Sequence, residues 1–123
     1  MEIIDSRFEN FKFSLTDVVA DNSSSSALVV GPWSDPRIDF SNLGMLLEID
    51  GIARQIGTSA GILGNPIYSL VAAARLVAVR GETLEVGDIV MGGGATAAEA
   101  LAAGQFIKLQ MERLGSVSFS TTD

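Results

Sequence analysis

The chain has 123 residues, of which 47% are hydrophobic and 19% charged, and its formal net charge is -7. It contains neither Cys nor His, which excludes a thiol nucleophile, an imidazole base and a zinc centre of the Cys/His kind. Its eight basic residues are scattered, so no cationic stripe exists to neutralise nucleic-acid phosphates. What remains is the chemistry of carboxylates, hydroxyls, amides and backbone groups, with Lys12 and Lys108 as the side-chain amines.

The length fits one domain over residues 1–123, and the apolar richness predicts that part of its surface meets another segment or subunit, hence a homo-oligomer. The opening MEIIDSRF has neither the basic start nor the apolar run of a signal peptide, and no uninterrupted apolar run reaches membrane length. The expectation is a cytoplasmic protein with no membrane partner.

In chain order, residues 2–7 read as a short strand, with Ile3 and Ile4 between charges. Its abrupt start, with a carboxylate at Glu2, suggests a chain cut from a longer one. Phe8, Phe11 and Phe13 suit a turn pinned by aromatics, with Lys12 snorkelling. Ser14 followed three residues later by Asp17 is a helix-start signature, and Leu15, Val18 and Val19 are expected to form one buried face before a stop near Asp21 and Asn22. Residues 22–26, NSSSS, allow two readings. One is a solvated loop after a capped helix; the other is an irregular polar backbone that binds a small polar ligand.

Residues 27–30 read as an apolar strand ended by Gly31-Pro32, and Trp33 is expected over a core edge. The runs 43–49 and 52–56 flank Asp50-Gly51, the strongest short-range hairpin signal in a sequence. A compliant loop with Gly57, Gly61 and Gly64 follows; it lacks the Lys-Ser/Thr ending of a phosphate loop. A helix is predicted over 66–80, with Asn65 as N-cap, Pro66 in the first turn and Gly81 beyond the end. Its Ile67, Leu70, Val71, Ala74, Val77 and Ala78 share a face suited to packing on a sheet. Residues 88–91 read as a buried strand running into Gly92, Gly93, Gly94, Ala95 and Thr96. Those glycines either let the backbone approach a ligand or simply break the strand. Residues 106–113 and 116–120 read as strands joined through Leu114-Gly115, with a fraying tail. The predicted class is β-rich α+β, a curled mixed sheet or roll covered by one long helix.

Two acidic positions stand out, Glu2 and either Asp17 or Asp21, and hard oxygen ligands suit Mg²⁺ or Mn²⁺. By local sequence alone, however, a Glu near a terminus is ordinarily an exposed bystander. Glu48, Glu82, Glu85, Glu99 and Glu112 read as solvated.

The segments EIIDSRFENFKFSLTDVVADNSSSS, GILGNP with its alanine-rich helix, RGETLEVGDIVMGGGAT and LGSVSF cover most of the chain. In that order they resemble the C-terminal half of the fumarylacetoacetate hydrolase superfamily. Within it they are similar to the branch of 2-oxopent-4-enoate hydratases and 4-oxalocrotonate decarboxylases of aromatic meta-cleavage catabolism, and GGATAAEAL is nearer the decarboxylase version. The resemblance implies the superfamily's C-terminal-domain fold and a divalent metal, Mg²⁺ (or Mn²⁺), held by a Glu-x-Glu pair and a third carboxylate, which Glu2 matches. The pair, and a lysine used by the hydratases, would lie upstream of Glu2, so the chain is expected to be the C-terminal catalytic half of a longer enzyme and inactive alone.

The implied reaction is decarboxylation of 4-oxalocrotonate, a small 2-oxo dicarboxylic acid, to 2-oxopent-4-enoate. Hydration of 2-oxopent-4-enoate is the alternative, and a non-catalytic assembly module is a third reading from another class. Asn22, Ser23 and Ser24 would bind substrate carboxylates, Gly93 and Thr96 would serve from an opposite wall, and Asp17 is a lesser catalytic candidate. A homo-oligomer and a complex with a partner hydratase are also implied.

Overall fold

In the computed structural model, which describes residues 1–122, the chain divides into two units, Met1–Gly31 and the remainder from Pro32. In the first unit a two-stranded antiparallel ribbon is formed by β1 (Glu2–Ile4) and β2 (Ser25–Leu28). Glu2 lies opposite Leu28 and Ile3 opposite Ala27, with a bulge before Ile4 pairs Ser25. The strand expected over 27–30 therefore starts two residues early, in the serines, because its partner decides where the ladder runs. The last rung is Val29 N–H donating to the Met1 carbonyl at 2.8 Å, after which Gly31-Pro32 leads away.

Helix α1 (Leu15–Ala20) starts as its spacing requires. Ser14 Oγ accepts from Asp17 N–H at 3.2 Å, while Asp17 Oδ2 accepts from Ser14 N–H at 2.9 Å, closing a capping box. Phe13 packs against Phe8 and Phe11, with ring centroids 6.1 and 5.2 Å apart. The buried helix face does not materialise: Leu15 is 79% and Val19 66% exposed. A six-residue helix beside a two-stranded ribbon has too little apolar area to build its own core. The buried residues of this unit, among those described, are the polar Asp21 and Ser24.

The second unit is built on a four-stranded antiparallel sheet in the order β4-β3-β5-β6. Its strands are β3 (Gly44–Ile49), β4 (Ile52–Thr58), β5 (Phe106–Met111) and β6 (Gly115–Ser120). The hairpin turn sits at Asp50-Gly51 as expected, with φ of +53° and +76°, the pairing of left-handed residues that matches strand twist. Asp50 also starts β5, since its N–H donates to the Phe106 carbonyl and its Oδ1 accepts from Phe106 N–H, both at 2.8 Å. Ile49 pairs with Ile107 across the sheet, and with Leu43 these are the buried hydrophobic residues among those described. Every strand pairing is antiparallel, which narrows the mixed sheet expected, and the β-rich α+β class with one long helix stands.

Helix α2 (Pro66–Ala78) is capped by Asn65, whose side chain accepts from Ile67 N–H at 3.0 Å, and Gly81 beyond it has φ of +76°. Its apolar face is not sealed onto the sheet; none of its residues is fully buried. The 20-residue stretch Ser59–Ala78 has the apolarity of a membrane span. The helix is interrupted before α2 by left-handed Leu63 and Gly64, and α2 alone is about 20 Å long against a hydrocarbon core of about 30 Å.

Three further expectations change. Residues 88–91 are not a strand, and Ile89 and Met91 are exposed, because a strand exists only as a hydrogen-bonded pair and no described strand offers this run a ladder. Trp33 is 85% exposed rather than covering a core edge. The tail is tied at Thr121, whose N–H donates to the Gln105 carbonyl at 2.9 Å and whose hydroxyl donates to that of Ala102 at 2.6 Å; Asp123 lies outside the described residues.

Candidate functional site

Asp21 is the C-cap of α1, where the negative end of the helix dipole disfavours a carboxylate, and its side chain is only 2% exposed. Such a group needs partners, and the first unit supplies them. Ser24 Oγ donates to Oδ2 at 2.9 Å, Arg7 N–H donates to the same oxygen at 3.3 Å, and the Arg7 guanidinium forms an ion pair with Oδ1. Burial pushes the carboxyl upward, but the Ser24 hydroxyl, the Arg7 amide and the Arg7 charge together outweigh it and hold Asp21 below its ordinary value.

This cluster locks the turn Asn22–Ser24. Ser24 N–H donates to the Asp21 carbonyl and Asp5 N–H donates to the Ser24 carbonyl, both at 2.8 Å. Asn22, Ser23 and Ser24 have φ of +51°, +56° and +57°, three consecutive left-handed residues without a glycine. The left-handed region costs an ordinary L-residue about 1–2 kcal/mol, and Asn tolerates it better than Ser, so the two serines need the surrounding bonds to persist.

The structure brings Asn22, Ser23 and Ser24 together, but not as equals. Asn22 and Ser23 are exposed, whereas Ser24 is buried with its hydroxyl committed to Asp21. Asp17 lies at the opposite end of α1, and its Oδ2 takes both the amide and the hydroxyl of Ser14, which lower its pKa and leave a weak base. Glu2 is partly exposed on β1. No local motif marks Arg7 as a site residue. Its signal is indirect: a carboxylate at a helix C-terminus, as Asp21 is, calls for a cation, and Arg7 is a basic residue in the bend that follows β1.

Gly93 and Thr96 belong to the second unit. Gly93 has φ of +103°, a conformation that glycine permits and other residues resist. The loop is pinned on both sides of it. Ser69 Oγ donates to the Gly92 carbonyl at 2.7 Å, and a Cβ placed on Gly57 would lie 2.6 Å from Thr96 Cγ2, while one on Gly61 would lie 3.0 Å from the Ala95 carbonyl oxygen. Gly57 and Gly61, read from sequence only as loop flexibility, are thus close-approach positions against which residues 95–96 lie. Gly92 also borders a cavity of about 430 Å³, lined mainly by apolar residues including Ile62, Ile67, Leu70, Val90 and Met111, with Ser59 and Asp88 at its polar edge. That lining suits aliphatic groups better than charged ones.

Four carboxylates expected to be solvated have partners, among them Glu85, which accepts from the Thr83 hydroxyl. Glu48 accepts from the Gln110 amide at 2.7 Å, Glu112 from Gly44 N–H at 3.2 Å, and Glu99 from the Gln55 amide. Among the described residues no three His, Cys, Asp or Glu side chains form a group able to hold a metal ion.

The family model described as fumarylacetoacetate (FAA) hydrolase C-terminal matches residues 6–120. The chain belongs to this family. Within it, a 4-oxalocrotonate decarboxylase of a Pseudomonas species is 59% identical over 99% of the chain and 48% of that protein's length. A TodF product hydratase of Pseudomonas putida is 34% identical over 96% of the chain and 45% of its own length. The fold agrees with the solved 4-oxalocrotonate decarboxylase from Pseudomonas putida G7 complexed with magnesium and adipate. The TM-score is 0.90 at 41% identity, covering 99% of this chain and 47% of that one. The chain thus spans about half the length of the family members it matches.

Proposed function

We propose that the chain is the substrate-facing C-terminal half of an enzyme that decarboxylates 4-oxalocrotonate, a small 2-oxo dicarboxylic acid, to 2-oxopent-4-enoate. The observation that carries this reading is the gap in identity, 59% to a decarboxylase against 34% to a hydratase over nearly the same residues. Hydration of the dienoate is the second reading within the family, and it has the lower identity.

The cofactor proposed is Mg²⁺ (or Mn²⁺), supported by the magnesium in the solved decarboxylase complex. The described residues do not fit a resident ion by themselves. Glu2 is one carboxylate, no acidic group of three accompanies it, and so few ligands do not offset the cost of dehydrating a small divalent cation. Glu2 is assigned as the ligand contributed by this half, and the others to the length of the relatives that the chain does not span. Bound metal would supply an electron sink for the decarboxylation; this chain's residues orient the substrate. Asn22 and Ser23 are assigned to a substrate carboxylate, and the Gly93 backbone and Thr96 hydroxyl, in the second unit, to polar groups of the same class of ligand. Asp17, as a poorly basic cap, is assigned no proton transfer.

The test is a chimera in which this chain replaces the matched half of the 59% identical decarboxylase. CO₂ release from 4-oxalocrotonate is the expected result; hydration of the dienoate without CO₂ release would overturn the reading. Calorimetric titration of Mg²⁺ into the chain alone is expected to give no tight binding. Exposed apolar side chains such as Leu76 and Val79 support assembly with further copies or with a partner hydratase, which light scattering with and without the hydratase resolves.

A further inference from the structure

We propose that Arg7 and Asp21 are positioning residues that hold Asn22–Ser24 in its left-handed form, so that Asn22 and Ser23 are presented to a ligand carboxylate, and that Ser24 is the internal latch of this device rather than a ligand group. The inference rests on the reading of this turn as carboxylate-binding. It goes beyond that reading by assigning a role to an ion pair between buried Asp21 and exposed Arg7.

The turn is not encoded by its own residues. A glycine at 23 or 24 would take positive φ without assistance, yet the chain carries serines there. The conformation is held by three constraints that converge on Asp21: the Ser24 hydroxyl from within the turn, and the Arg7 amide and Arg7 guanidinium from outside it. The Asp5 amide on the Ser24 carbonyl closes the same turn from the other side. Burying a carboxylate at a helix C-terminus is a costly way to make a turn, and glycine would make it more simply. What glycine cannot supply is side chains that donate and accept hydrogen bonds at the exposed positions, and those are the amide of Asn22 and the hydroxyl of Ser23. Ser24 points the other way: it is 2% exposed and its proton is already given to Asp21.

The test uses the 123-residue chain and NMR. Residues at positive φ give strong intraresidue amide-to-α-proton cross-peaks, expected at residues 22–24. Arg7→Met and Asp21→Asn are expected to lose them at Ser23 and Ser24 while the signals of the Asp50-Gly51 hairpin stay in place. Ser24→Ala is expected to lose them too, whereas Ser24→Gly keeps the turn without the latch. Adipate is then added to each sample. It is expected to shift the Asn22 and Ser23 amides in the parent and in Ser24→Gly, and to bind about tenfold more weakly in Arg7→Met and Ser24→Ala, the loss of one oriented hydrogen bond to a charged group.

Left-handed cross-peaks that survive both Arg7→Met and Asp21→Asn overturn the clamp whatever adipate does. Ser24→Gly that loses adipate as fully as Ser24→Ala makes Ser24 a direct ligand and overturns its assignment as latch. A turn that responds as expected while adipate moves nothing even in the parent supports the clamp and overturns the carboxylate reading on which its function rests. Should Asp21→Asn unfold the first unit, Arg7→Met decides, because the Arg7 side chain is 77% exposed and its replacement leaves no buried cavity.

Discussion

Gly57→Ala offers a sharp check on how the loop carrying Gly93 and Thr96 is held. The added methyl would start 2.6 Å from Thr96 Cγ2 and 3.2 Å from the Ala95 carbonyl oxygen, whereas carbon atoms rest at about 3.5–4.0 Å. The obstruction is therefore about 1 Å deep, and Thr96 is β-branched, so its methyl does not swing aside freely. Forcing one methyl into such a contact costs about 2 kcal/mol, or roughly 6–12 °C in Tm for a chain of this size. Thr96→Ser removes the obstructing methyl and leaves only the milder contact with Ala95. Urea unfolding of the parent, both single variants and the double variant should give a favourable coupling of about 1 kcal/mol in the double. Gly61→Ala is the control: its obstacle is the Ala95 backbone, with the carbonyl oxygen at 3.0 Å and Cα at 3.4 Å, so Thr96→Ser should not rescue it. Additivity within about 0.3–0.5 kcal/mol between Gly57→Ala and Thr96→Ser would refute the close packing of this loop on β4.

Ile107→Ala should cost about 2–5 kcal/mol by urea unfolding, since Ile107 is 2% exposed and paired with buried Ile49, whereas Ile56→Ala, at an 81% exposed position, should stay within about 0.5 kcal/mol of the parent. Asn65→Ala should cost about 1 kcal/mol through loss of the α2 cap, and Asn65→Ser should recover most of it. Asp21 predicts acid lability. Its pKa in the folded chain lies below the ordinary 3.8, so the unfolded chain binds more protons near that pH; the stability it contributes is complete above about pH 5 and is lost as pH falls through the folded value. Protection factors of first-unit amides, taken against the intrinsic exchange rate at each pH, should fall below about pH 4 in the parent, and Asp21→Asn should flatten that dependence.

How far the sequence spoke depended on the range of the cause. Ser14 with Asp17, Asn65 with Pro66, and Asp50-Gly51 are local devices whose hydrogen bonds close within a few residues, and each lies where its spacing placed it. The run over 88–91 has the same apolar character as a buried strand, but a strand needs a partner, and nothing in four residues says whether one is present. The same holds for Leu15, Val19 and the α2 face: periodicity tells which residues share a side and not what covers it.

The candidate site was legible in the same proportion. NSSSS marks itself as polar and irregular, and the fumarylacetoacetate hydrolase resemblance gave it a ligand class. Its conformation depends on Arg7, fourteen residues before Asp21, a contact that no local pattern carries. This separation matters for where variation should be felt. Substituting Asn22 or Ser23 alters groups that reach solvent, while substituting Arg7 alters none of them directly and should change ligand affinity only by changing the turn. A loss of affinity at Arg7 that is recovered by Ser24→Gly would therefore be the signature of a shape held from a distance, since a glycine can restore backbone geometry but cannot replace a guanidinium.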